Sequence, residues 1–189
     1  MASLSGCTSL LDNPEPFAAP DPYVSGMRWF SRGEYKWAKK YWEPLAEDGD
    51  CDAEFRMGTL YFLGAGVPRD YAAARQWWAR AAKNGQPFAQ ALLATMYAHD
   101  SMSVITIRTE TQFDCTGGCG FPQSMVEAYR WMSLSEKCSV YPDTRKAAAV
   151  TAKLYRKTLT PEQIDEVDQF VKNWKALGGH CQPRDLSIM

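Results

Sequence analysis

The side chains with nucleophilic, redox or metal-binding capacity are six cysteines and two histidines. Cys115 and Cys119 flank a Thr-Gly-Gly turn, and Cys138 follows. Together with His99 or His180 they would make four ligands, the number a structural zinc ion takes, but their spacing is that of neither a ribbon nor a finger. A dithiol redox centre would want Cys-x-x-Cys within a βαβ pattern, and Cys115 and Cys119 have neither. The alternative chemistry is disulfide formation. Cys115 and Cys119 can close on each other, or either can reach Cys138 or Cys181, and spacing leaves the connectivity open. Cys51 opens a helix and reads as an unpaired, half-buried thiol. Glu54 and Asp70 come nearest to a carboxylate pair, yet a capping role accounts for Asp70. No glycine-rich phosphate loop follows a strand, and no Gly-x-Ser-x-Gly elbow is present. The sequence therefore offers no catalytic residue, no cofactor-binding residue and no metal ligand. It reads as a binder rather than an enzyme.

The elements that must position any binding surface are helices. From Asp52 to Leu63, Ala53, Met57, Leu60 and Tyr61 fall at steps of three and four, with Gly64 next on the same face. Gly64-Ala65-Gly66-Val67-Pro68 breaks this helix, because glycine accepts the left-handed turn and proline cannot continue the ladder. Asp70 is placed to cap a second helix carrying Ala74, Trp77, Trp78, Ala81 and Ala82, and Gly85 ends it. Small residues facing bulky aromatics let two antiparallel helices approach closely. The pattern returns at a shift of 36 residues: Tyr35, Ala38, Trp42, Ala46 and Gly49 match Tyr71, Ala74, Trp78, Ala82 and Gly85. Downstream, Ala89 and Tyr97 match Ala53 and Tyr61, and Ala128, Trp131 and Ser135 repeat Ala74, Trp77 and Ala81 after roughly 18 extra residues. A period of this length means stacked helical hairpins, an all-α solenoid.

The central copy reads Ala53-x4-Gly58-x2-Tyr61-x2-Gly64-x-Gly66-Val67-x2-Asp70-x3-Ala74-x2-Trp77-x3-Ala81-Ala82-x2-Gly85. It resembles the Sel-1-like repeat, a relative of the TPR. The flanking copies match in part, so that the resemblance covers roughly Tyr23 to Leu177. It implies a non-catalytic protein-binding scaffold in which helices equivalent to Asp52–Leu63 line the concave side. Phe55, Thr59 and Phe62, off the core stripe, are then the candidate partner contacts.

The domain organisation follows. Residues 1–22 hold Leu4-Ser5-Gly6-Cys7, similar to a bacterial lipobox in which lipid is attached to the cysteine, here Cys7. They continue into a stiff tether containing Pro14, Pro16, Pro20 and Pro22. The charged and apolar parts of a leader are missing, as in a chain trimmed inside its own signal peptide; the bland alternative is a chance match. Residues 23–179 form the repeat domain, with units at about 23–50, 51–86 and 87–140, the last interrupted at 99–124, and capping helices over 143–178. Residues 180–189 read as a tail. In the first unit Pro44 should kink or end its helix. Trp29, Trp37 and Trp42, at helical spacing, read as core rather than as a ligand cluster. In the last, Asp143 or Thr144 should cap one helix, and Thr160-Pro161-Glu162-Gln163 is a capping box for the next.

The interruption carries Ser103-Val-Ile-Thr-Ile-Arg-Thr109, β-branched and partly alternating, read as a short strand or extended arm. It is either a partner-contact arm, with Thr106 and Arg108 as candidate contacts, or a decoration covering the solenoid edge. The net charge of −1 gives no sign of nucleic acid. No run is apolar enough to span a bilayer, which leaves a lipid anchor as the expected tie to a membrane. The partner implied is another protein. By analogy with small lipobox-bearing relatives, the chain reads as a periplasmic immunity protein that neutralises a secreted antibacterial effector. An envelope scaffold is the alternative, and a cytosolic adaptor follows if the lipobox is chance. Five thiols besides Cys7 fit an oxidising compartment.

Overall fold

In a computed structural model the described residues are 21–99, 101–102, 113–114 and 122–176. Eight helices alternate along them: α1 (Pro22–Ser31), α2 (Tyr35–Glu47), α3 (Cys51–Leu63), α4 (Tyr71–Lys83), α5 (Pro87–Ala98), α6 (Met125–Cys138), α7 (Pro142–Arg156) and α8 (Pro161–Asn173). The first six pack as hairpins, α1 on α2, α3 on α4 and α5 on α6, and each second helix packs on the first helix of the next hairpin. The fold is an all-α helical-repeat solenoid.

The starts of the helices are set by side chains. Asp50, Asp70, Gln86, Ser124 and Thr160 each accept the amide three residues on, so each satisfies one donor that a helix start leaves open. At Thr160 the box is complete, because Thr160 N donates back to Gln163 Oε1 at 3.0 Å. The start of α7 differs from expectation. Pro142 takes the first helical position, its lost N–H being one the helix would leave unpaired anyway, so Tyr141 is the cap residue and Asp143 and Thr144 lie in the first turn. The α2 helix also runs on through Pro44 to Glu47. Pro44 and Lys40 are both exposed, so the carbonyl that loses its donor lies on the solvent side.

The hairpins close by a repeated device. Trp78 of α4 is buried, and its indole N–H donates to Phe55 O of α3 at 3.1 Å. Trp42 of α2 does the same to Tyr23 O of α1, also at 3.1 Å. In each case the residue one turn along the first helix is a glycine, Gly58 or Gly26, and the indole fills the space its side chain would take. The third hairpin has a different pair at the equivalent positions, Ala94 and Met132, both buried in one cluster.

The last helix departs from hairpin packing: α8 rests on α6. Tyr129 Oη donates to Asp168 Oδ1 at 2.7 Å, and Arg130 joins Glu127 to Glu166 while lying over the Phe170 ring. Lys137 donates to the carbonyls of Val171 and Lys172 at the end of α8, where a cation also suits the helix dipole.

Candidate functional site: the face of the first helices

The helix from which the sequence drew three contacts is covered on more than one side. Phe55 and Thr59 are buried, Phe55 among Ala74, Trp78, Ala89 and Leu92, and Thr59 Oγ1 donates to Phe55 O. They are core residues and not partner contacts. The reason is tertiary, since α3 has α2 and α4 packed on it and α5 against the same cluster, leaving little of its circumference open. Phe62 is half-buried, its ring 5.2 Å from that of Tyr71 and 5.4 Å from that of Trp78. Thr106 and Arg108 lie outside the described residues, as do Cys7, Cys115, Cys119, Cys181 and the expected strand at 103–109.

The cysteines also read differently in space. Cys138, a disulfide candidate, is a free thiol 3.9 Å from Gln90 Nε2, and burial pushes its pKa up. Cys51, expected to be unpaired, is disulfide-bonded, and its partner lies outside the described residues.

What the first helices present instead is a row of rings crossing the hairpins. Tyr23 on α1 receives a hydrogen bond on its hydroxyl from Arg56 Nε of α3 at 3.1 Å. The Arg56 guanidinium lies over Phe55, 5.7 Å from the centroid, and Phe55 meets Phe88 of α5 at 6.1 Å. Phe88 in turn stacks on Tyr141, the cap residue of α7, with centroids 5.6 Å apart. Tyr23 and Phe55 are buried, whereas Arg56, Phe88 and Tyr141 are half-buried and give the row its accessible edge. Sequence reasoning missed these three. The signal available was compositional, since arginine and aromatic side chains dominate protein interfaces. Their alignment exists only once the hairpins stack.

The α3 helix also carries a buried acidic side chain, Glu54. Glu54, 1% exposed, has Asn84 Nδ2 at 2.9 Å from Oε2 and Arg80 Nε at 3.0 Å from Oε1. Burial raises its pKa, and the Asn84 amide and Arg80 guanidinium draw it partly back. Arg80 also donates to Ala46 O at 2.7 Å, bolting the second hairpin to the first. One repeat on, Gln90 takes the place of Glu54 and donates to Ala82 O at 3.0 Å.

The interruption in the third hairpin is anchored at both feet. Ser124 N donates to Tyr97 O at 2.9 Å, the counterpart of Asp70 N on Tyr61 O at 3.0 Å in the uninterrupted repeat. Beyond it, Ser101–Met102 pairs antiparallel with Phe113–Asp114. The excursion leaves and rejoins the stack at one point, inside a clasp that both repeats share.

The Sel1 repeat family matches residues 51–86, the hairpin α3–α4 with its capping turns. One hairpin of this chain is thus similar to a Sel1 repeat. The ERAD-associated E3 ubiquitin-protein ligase component HRD3A of Arabidopsis thaliana is 33% identical over 69 residues, 36% of this chain. The chain spans 10% of that relative's length. Among solved structures, c5321, a protective antigen present in uropathogenic Escherichia coli strains displaying an SLR fold, matches with a TM-score of 0.60 and 21% identity. That match covers 84% of this chain and 31% of the other, and it establishes the fold. Sel1-like repeat proteins mediate protein–protein interaction on a scaffold that is typically non-catalytic.

Proposed function

We propose that the chain is a non-enzymatic, lipid-anchored periplasmic protein that binds one secreted antibacterial effector and neutralises it. The observation that carries the binding half of this reading is the Arg56–Phe88–Tyr141 row. It offers a guanidinium and two rings on adjoining hairpins, spaced to engage one extended partner surface. Rigid aromatic and arginine anchors of this kind supply most of an interface's energy. The Cys51 disulfide supports the compartment, because such bonds persist where the environment oxidises. Leu4-Ser5-Gly6-Cys7 supports the anchor. The hydrogen bond from Ser124 N to Tyr97 O supports an inhibitory arm, since it brings the two ends of the insertion to one place on the stack.

Partner capture tests the reading. The protein is anchored in the envelope of its source cell, cross-linked, and its associates are identified by mass spectrometry. One stoichiometric toxin or hydrolase, inhibited on binding, is the expected result. A spread of envelope assembly proteins would replace the inhibitor with a scaffold.

A further inference from the structure

The first hairpin carries a surface that the ring row does not use and that meets the core only through half-buried Trp29. Trp37, 47% exposed, stacks on Trp29 with centroids 5.8 Å apart. Arg32 lies over the Trp29 ring at 5.5 Å and Lys40 over the Trp37 ring at 4.9 Å. Only Trp42 of the three tryptophans expected in the core is fully buried. Arg28 precedes Arg32 by one turn of α1, and Lys36 precedes Lys40 by one turn of α2, so each pair lies on one face. All four cations are exposed, and among the described residues none is in an ion pair; the neighbouring Lys39 is held by Glu43. Residues 22–41 hold five basic side chains and a single acidic one, Glu34, in a chain whose net charge is −1. The average conceals a concentrated positive surface centred on two indoles.

We infer that this patch rests on an anionic phospholipid surface. Unneutralised lysines and arginines gain from phosphate headgroups, and indoles prefer the polar–apolar boundary, where one edge is dry and the other wet. An acidic protein segment would satisfy the cations but would leave the exposed indole of Trp37, stacked on half-buried Trp29, unexplained. Chain length permits the placement. Between Cys7 and α1 lie enough residues, at about 3.1 Å each in extended form, to reach roughly 40 Å, so a hairpin tethered there can lie down on the bilayer. The inference rests on the envelope location proposed above. It adds that the hairpin orients the solenoid on the membrane, whereas a lipid alone would leave it tumbling.

The experiment uses the chain with Cys7 unmodified, so that it reads the patch and not the anchor. Co-sedimentation is measured with vesicles of phosphatidylethanolamine and phosphatidylglycerol, and with phosphatidylcholine vesicles. Binding to the anionic vesicles that weakens with salt is expected, with none to the neutral ones. Lys36→Glu together with Lys40→Glu should weaken it at least tenfold, since each cation near such a surface is worth about a fivefold gain. Trp37→Ala should weaken it and reduce the blue shift of tryptophan emission on binding. Both variants alter exposed side chains, and an unchanged melting temperature confirms that they fold. No binding to anionic vesicles, or binding indifferent to these changes, overturns the inference. Loss of partner capture in the same variants with vesicle binding intact would assign the patch to a protein and overturn it too. Lipid attachment at Cys7 is read separately, by the mass of the envelope-extracted protein, so that failure of the anchor and failure of the patch are told apart.

Discussion

The indole of Trp78 occupies the space that any side chain at position 58 would need: a Cβ built on Gly58 stands 2.5 Å from Trp78 Nε1. The same relation joins Gly26 to Trp42, where a Cβ would stand 2.6 Å from Cδ1. Helix spacing in two hairpins is thus set by tryptophan on bare backbone.

Gly58→Leu is expected to destabilise by about 1–3 kcal/mol through overpacking, and Trp78→Ala by roughly 3–5 kcal/mol. The sharper test borrows the third hairpin's solution. Gly58→Ala with Trp78→Met copies Ala94 and Met132, so the double variant should lose less than Gly58→Ala alone and Trp78→Met alone summed. Strict additivity in denaturant unfolding would show that the two residues do not set the spacing.

Glu54 makes stability depend on pH with a definite sign. Burial raises its folded-state pKa, so between the unfolded and folded values the native state holds more protons than the unfolded chain. Stability therefore falls as pH rises through that interval. Glu54→Gln, the residue found one repeat on at Gln90, removes the dependence. On going from neutral pH down towards about 4.3, the ordinary glutamate value, wild type should gain on the variant in melting temperature. A constant difference would contradict the assignment.

Reduction should cost about 2–4 kcal/mol through loss of the Cys51 bridge, and Cys138→Ser should leave that loss unchanged. Cys138 itself should alkylate slowly at neutral pH and faster as pH rises, because burial favours its protonated thiol. Peptide mapping after timed iodoacetamide treatment measures this, and rapid labelling at neutral pH would contradict it.

Much of the fold was legible because local rules decide it. Gly64 at φ 67° ends α3, Asp70 caps α4, and Thr160 with Gln163 closes the capping box, all from residues adjacent in sequence. The site was less legible. A single helix reveals one apolar stripe, so Phe55 and Thr59 appeared free until other helices covered the remaining faces. Cys51 gave no local sign of its bond. Arg56, Phe88 and Tyr141 share no sequence period, and only stacking brings them into a row.

Thr160→Ala should cost about 1 kcal/mol, and the loss should be felt first by α8, which is held mainly through α6. Hydrogen exchange that rises across α8 before the rest of the solenoid is the expected pattern. Uniform exchange would mean that α8 unfolds only with the whole.

The most direct test is the affinity of the captured partner for Arg56→Ala, Phe88→Ala and Tyr141→Ala variants, measured by calorimetry beside their melting temperatures. The account predicts a loss of about 2 kcal/mol or more at one or more of the three, the size expected of interface anchors, in variants that remain folded. Unchanged affinity across all three would place the partner elsewhere and contradict a binding face built from the first helices.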